Sequence, residues 1–308
     1  MYDGPIIDVF FHPPWPKEAG SDSWGTRDSW IKDPRRARVM RTFHQDGADA
    51  RTPDKSVGDM IADMQQAGVE KAIFQSSAYY PTTREMVDKK HLEMSNILDS
   101  VDHDRKMFLM TGTIRPPEQG PGTTWDVMEN GRILEEAKRK HGIIGVHMMP
   151  SPWGTPANHK WFYPVYAKCV ELNLAVFTYI GMPGPFWPME PNNPVHLDEV
   201  ALAFPDLKII GHHIGDPWPH VMTRLAAKHP NVYITTSAWS PKRYPPELLE
   251  FMRGKWHGQA GAEKVLFGTD YPLLNLEKAA RDARELDLPE TVLRKFLYEN
   301  AQRLFWSR

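Results

Sequence analysis

The chain has 308 residues, 41% of them hydrophobic and 25% charged, with 37 basic against 39 acidic side chains and a formal charge of −2. So even a balance speaks against nucleic acid or an anionic membrane as partner, and the single cysteine, Cys169, excludes an intrachain disulfide framework and suits a reducing compartment. The length exceeds that of a small domain but fits one α/β barrel built around a continuous core.

Met1 leads directly into the strand-like run Pro5 to Phe11, with no basic segment followed by a long apolar one, and no later stretch approaches a membrane span. A soluble, cytoplasmic chain is expected. Short β-branched apolar runs then alternate with amphipathic stretches, the pattern of parallel strands covered by helices. The strands are expected at Ile6 to His12, Lys71 to Ser77, Lys106 to Ile114, Ile143 to Met149, Leu174 to Ile180, Leu207 to His213, Val232 to Ser237 and Val265 to Asp270. Eight such strands close a (β/α)8 TIM barrel.

Between them, apolar residues three and four apart predict helices over Val57 to Ala67, Glu85 to Leu98, Thr124 to Lys140, Lys160 to Leu172 and Val221 to Lys228. Gly68, Gly142 and Asn173 supply stop signals. Leu276 to Glu285 and Glu290 to Phe305 follow the last strand and are expected to cover the barrel exterior. Residues 13–54 lack periodicity and are rich in Trp, Arg, Asp and Gly, which suits a lid or an oligomer arm inserted after strand one. The expected organisation is therefore one domain over 1–308, with an insertion at 13–54 and C-terminal helices at 286–308. An open doubly wound sheet is the other fold weighed, but no Gly-x-Gly-x-x-Gly turn follows the first strand.

Side chains at the C-terminal ends of barrel strands face the catalytic mouth. There the chain places His12 on strand one, His147 on strand four, His212 and His213 on strand six and Asp270 on strand eight. Converging imidazoles and a carboxylate suit a divalent metal or proton transfer near neutral pH. Along a strand, alternation sends one of His212 and His213 inward and the other toward the helices. Tyr179, on strand five, and Trp239, in a mouth loop, could contact substrate or simply pack. Lys242, Arg243 and Arg51 are candidates for holding an anionic substrate, beside the plainer reading of solvated surface charge. Prolines and tryptophans gather after the strands, as in Pro13-Pro14-Trp15 and Pro217-Trp218-Pro219, and imply rigid, aromatic loops.

Four segments carry a resemblance: FPDLKIIGHHIGDPWP (Phe204 to Pro219), NVYITTSAW (Asn231 to Trp239), KVLFGTDYP (Lys264 to Pro272) and ENAQRLF (Glu299 to Phe305). Together they resemble the amidohydrolase-related proteins that include the aminocarboxymuconate semialdehyde and resorcylate decarboxylases. The resemblance implies that His213 is the strand-six catalytic histidine and Asp270 the strand-eight aspartate that binds metal and handles protons. It also implies a homodimer. Two positions depart from the pattern. The strand-one motif Asp-x-His-x-His reads Asp8-Val9-Phe10-Phe11-His12, and Tyr179 stands where a strand-five histidine is expected.

Phenylalanine cannot ligate, and tyrosine is an uncommon zinc ligand. A zinc or manganese ion held by His12, His147 and Asp270 therefore stays open beside a metal-free acid–base site, with the residues leaning toward the latter. The expected partner is a small molecule, a carboxylic acid or activated carbonyl compound. The expected reaction is cleavage of a C–C bond next to a carbonyl or carboxylate, by decarboxylation or β-keto hydrolysis, with Asp270, His213 and His12 as catalytic residues. A metal-independent lactone or thioester hydrolase and a non-catalytic ligand-binding barrel are the alternatives.

Overall fold

A computed structural model describes residues 2–13, 56–76, 83–117, 126–183, 187–254 and 260–307. Among them run eight parallel strands: β1 (Ile6–Phe11), β2 (Val69–Phe74), β3 (Phe108–Gly112), β4 (Gly145–Met148), β5 (Ala175–Thr178), β6 (Ile209–Gly211), β7 (Val232–Thr235) and β8 (Val265–Leu266). Each pairs with the next in sequence order. Backbone bonds from Val9 N–H to Phe267 O (3.0 Å), Asp270 N–H to Phe10 O (2.9 Å) and His12 N–H to Tyr271 O (3.0 Å) join the last strand and its tail to the first. The result is the (β/α)8 barrel that the alternation predicts. Several strands end earlier than expected, β6 at Gly211 and β8 at Leu266, because the following residues leave the ladder to form the mouth.

The strands read as continuous apolar runs because both faces are covered. Inside, Ile7, Val9, Ile73, Leu109, Phe177 and Ile210 meet in one cluster, while a larger cluster fills the layer between strands and helices. The helix α1 (Val57–Ala67) illustrates the outer layer. Ser56 caps it and shares reciprocal bonds with Asp59, Met60, Met64 and Ala67 bury one face, and Gly68 stops it at φ 70°. There follow α2 (Arg84–Val101), α3 (Glu129–His141), the single turn α4 (Pro150–Trp153), α5 (Tyr163–Glu171), α6 (His196–Ala203), α7 (Pro219–Lys228), α8 (Pro246–Met252), α9 (Leu276–Arg284) and α10 (Glu290–Arg294). Sequence periodicity misses α4, α6 and α8, each too short for a 3.6-residue repeat to stand out. No helix among the described residues is long and apolar enough to cross a membrane. The insertion expected over 13–54 lies, apart from Pro13, outside the described residues.

The C-terminal segment does something other than coat the exterior. After α10 it continues as two π-helical turns, Lys295–Glu299 and Gln302–Trp306. Tyr298, Leu304, Phe305 and Trp306 pack against the inner cluster. Phe305 stacks on Phe177 at 5.5 Å, and Trp306 Nε1 donates to Lys106 O just before β3. The segment thus floors the barrel at its N-terminal end, leaving the opposite end as the mouth. Buried Asn300 holds that floor in place by donating through Nδ2 to Ala262 O and Val265 O, both at 2.9 Å. Asn300→Ala removes both bonds together and is expected to lower stability by about 1–3 kcal/mol, read by denaturant unfolding.

Candidate active site

The mouth begins with an irregularity in β1. Asp8 pairs with Ala72 and Phe11 with Phe74, so three steps of β1 are matched by two of β2. Such a bulge re-aims side chains. Val9 lies in the inner cluster, yet the very next residue, Phe10, reaches the mouth, where its ring meets four imidazoles. Asp8 itself is buried and fastens the bulge to the tail of β8. Its carboxylate accepts from Phe10 N–H at 3.0 Å, from Thr269 N–H at 3.2 Å and from the Thr269 hydroxyl. Burial pushes its pKa up to about 7, against the pull of those bonds.

Thr269 leads into Asp270, whose backbone sits at φ 63°; His213, Ile214 and Ala238 also adopt φ near 60°. Left-handed backbone at a residue other than glycine costs about 1–2 kcal/mol, and such strain concentrates at functional sites. In that conformation Asp270 Oδ1 lies 3.1 Å from His12 Nε2, both side chains being almost buried.

The other imidazoles are anchored in one manner, each through Nδ1. His147 Nδ1 reaches Ser76 O (3.2 Å), His212 Nδ1 reaches Thr235 Oγ1 (3.3 Å), and His213 Nδ1 reaches Ser237 O (3.1 Å) and Ser237 Oγ (3.0 Å). With the Nδ1 proton of His213 given to the Ser237 carbonyl, its Nε2 carries a lone pair. That Nε2 and the Nε2 of His212 are buried with no hydrogen-bond partner among the described residues. Burial lowers the pKa of His147 to about 3, holds His212 well below the ordinary imidazole value, and lowers His213 against the raising influence of Asp270. All three are therefore neutral at neutral pH.

The structure thus gathers His12, His147, His213 and Asp270 around Phe10. It also brings in His212, which alternation alone assigns to the opposite side from His213. The two share the mouth because β6 has already ended at Gly211 and His213 turns to φ 59°. Behind His147, Gln75 donates to Val9 O (2.8 Å) and accepts from Thr111 Oγ1 (3.2 Å), a buried brace that apolar periodicity does not reveal. The Tyr179 ring packs on His213 at 4.4 Å, and Trp239 is half-buried against the outer cluster. Lys242 is placed elsewhere. It reaches Asp282 of α9 at 3.3 Å, where Arg281 (3.6 Å) and Lys278 (3.8 Å) also approach that fully buried carboxylate. Arg243 is exposed on the same turn, and Arg51 lies outside the described residues.

These side chains do not fit a metal ion. Imidazole ligands must converge within about 2.1 Å of one point, whereas here a phenyl ring lies at centroid distances of 4.3 Å from His212, 5.1 Å from His213, 5.3 Å from His12 and 5.6 Å from His147. Among the described residues no group of three or more His, Cys, Asp or Glu side chains is arranged to hold an ion.

Comparison with known proteins points one way. A family model described as Amidohydrolase matches residues 7–306. Among curated proteins, the gamma-resorcylate decarboxylase of Polaromonas sp. is 27% identical over 143 residues, 40% of this chain and 43% of that protein. Its counterpart from Rhizobium radiobacter is 27% identical over 145 residues, 40% of this chain and 42% of that protein. The matched region therefore spans less than half the length of these relatives. Among solved structures, an uncharacterised TIM-barrel protein of Bordetella bronchiseptica superposes with a TM-score of 0.72 at 21% identity, covering 97% of this chain and 98% of that one. The 5-carboxyvanillate decarboxylase of Novosphingobium aromaticivorans, complexed with manganese and 4-hydroxy-3-methoxy-5-nitrobenzoic acid, gives 0.69 at 17% identity, covering 99% and 97%. Similarity at these identities shows a shared fold.

The Asp8 carboxyl generates a prediction about pH. Its folded pKa is raised from 3.8 to about 7, so its contribution to stability is complete below the unfolded value and lost as pH rises toward 7. Asp8→Asn has no such titration. The melting temperature of the wild type should therefore fall relative to Asp8→Asn between pH 4 and pH 7, and parallel profiles would refute the assignment.

Proposed function

The chain belongs to the amidohydrolase family, and from that premise we propose that it is an enzyme that breaks a C–C bond beside a carbonyl or carboxylate of a small carboxylic acid. Asp270, His12 and His213 carry the acid–base chemistry. One observation bears most of the weight: a buried His12–Asp270 pair at 3.1 Å beside an imidazole, His213, whose inward nitrogen is a lone pair. The similarity to resorcylate decarboxylases supports the reaction class.

In a decarboxylation, a proton held between His12 Nε2 and Asp270 Oδ1 passes to the carbon that bears the carboxylate. The C–C bond then breaks, its electron pair restores the neighbouring π system, and CO2 leaves. Carboxylate plus proton becomes a C–H bond plus CO2, and solvent returns the proton to the pair. His213 Nε2 accepts a hydrogen bond from a substrate hydroxyl and so orients it, while Phe10 and the half-buried Tyr179 and Trp239 offer apolar walls to a planar substrate. No step runs through a metal, because the Phe10 ring stands among the imidazoles that would have to converge on it.

A second reading has its own observation. A neutral imidazole with a free Nε2 lone pair is also a base for water, and with Asp270 nearby it would open a lactone or thioester. A panel of hydroxybenzoates, β-keto acids, lactones and thioesters separates the two: CO2 release from the acids supports the first, and acid formation from lactones without CO2 supports the second. Turnover of none would favour a ligand-binding barrel.

On whichever substrate is turned over, Asp270→Asn and His213→Gln are each expected to lower kcat by at least about 100-fold with an unchanged far-UV circular dichroism spectrum. Because burial depresses His213, the acid limb of kcat/KM should have its midpoint below the ordinary imidazole value of 6.5. Wild-type rates in both variants would sink the assignment.

A further inference from the structure

Four imidazoles facing one phenyl ring is an unusual use of buried polar surface. His12, His147, His212 and His213 lie on three different strands or their tails, β1, β4 and β6, yet all place their rings within 4.3–5.6 Å of the Phe10 centroid. Three of them are fixed at Nδ1 by oxygen atoms of other strands or strand tails, Ser76, Thr235 and Ser237. Histidines that ligate metals are oriented in this way, with one ring nitrogen bound to a carbonyl or hydroxyl so that the other points inward with its lone pair. Here three of the four are so anchored, and the Nε2 atoms of His212 and His213 are buried without a hydrogen-bond partner among the described residues. Buried ring nitrogens left in that state, the Nε2 lone pair of His213 among them, cost free energy. The phenyl ring stands nearly at right angles to three of the imidazoles, between 84° and 89°, a favourable geometry for aromatic pairs.

We propose that Phe10 is a plug: its ring fills the centre of a preformed histidine cage and keeps divalent cations out, so that a single residue decides whether this barrel works with a metal or without one. The hydrogen bonds that hold the cage do not involve the Phe10 side chain, whose backbone alone bonds to Asp270. His147 depends on Ser76, His213 on Ser237, and His12 on Asp270. Replacing the phenyl ring by a smaller group or by an imidazole therefore opens the centre without dismantling its walls. The inference does not depend on which bond the enzyme cleaves, and its test reads bound metal directly.

The experiment compares the full-length wild type with Phe10→His and Phe10→Ala, each dialysed against excess Zn(II) or Mn(II), desalted, and analysed by inductively coupled plasma mass spectrometry. Circular dichroism and a thermal melt establish that each protein is folded. The expected result is at least tenfold more retained metal in Phe10→His than in the wild type, approaching about one equivalent, with intermediate retention in Phe10→Ala. Adding His12→Ala to Phe10→His should return retention to the wild-type level. Stoichiometric metal in the wild type would overturn the proposal, because the plug would then not exclude cations. Folded variants that both retain no more metal than the wild type would overturn it equally, by showing that the histidines form no cage. If Phe10→His does not fold, Phe10→Ala and the wild type still decide between these results.

Discussion

The seam between β1 and β8 is the constraint on which the rest of the molecule depends. Asp8 and Thr269 are separated by 261 positions in the chain, yet the Asp8 carboxylate binds both the backbone and the hydroxyl of Thr269. Three backbone bonds run alongside it, from Val9, from Asp270 and from His12. Closing the barrel and bringing Asp270 against His12 are thus one event, since the residues that pair across the seam precede and follow the two that react. A carboxylate buried at the cost of a pKa near 7 is tolerable at that position because three donors converge on it.

The mouth is organised by neighbouring strands holding one another's side chains. His147 of β4 is held by the tail of β2, His212 by Thr235 of β7 and His213 by the tail of β7. None of these imidazoles relies on its own loop for orientation, so the site inherits the rigidity of the sheet. The left-handed backbone at His213, Ile214, Ala238 and Asp270 is sustained by the same surroundings. At Ile214, a β-branched residue, that conformation has no local justification; it is imposed by the turn that carries His213.

Much of this architecture is legible in the amino-acid order, for physical reasons that also mark its limits. Strands buried on both faces leave unbroken apolar runs, so eight of them can be counted without knowing where each ends. Their boundaries depend on where the ladder stops, and this is why pleat alternation sends His212 and His213 to opposite sides when both face the mouth: β6 ends at Gly211, and beyond it the period of two no longer applies. Asp8 escapes notice as a brace because an aspartate inside an apolar run shows nothing of its partner 261 residues away. Lys242 looks well placed after β7, but on a one-turn 3-10 helix the side-chain direction is set by packing on α9, and it goes to Asp282. Phe10 is visible from sequence as a missing ligand; that its ring touches four histidines is a matter of tertiary structure alone. The C-terminal π-helical floor was equally hidden, since a helical period does not say which surface it covers.

The position of the seam also bears on how the molecule is made. Translation makes β1 well before β8, and the partner for the second edge of β1 lies in β8 and its tail. Until β8 and its tail arrive, the nascent sheet presents two open edges of apolar strand, the kind of surface that recruits other chains. The histidines of β1, β4 and β6 are by then already translated, yet His12 has no Asp270 to meet. A ribosome that stalls or terminates before Val265 therefore releases a product that is at once inert and adhesive, and a cell gains by having holdase chaperones or proteases reach it first.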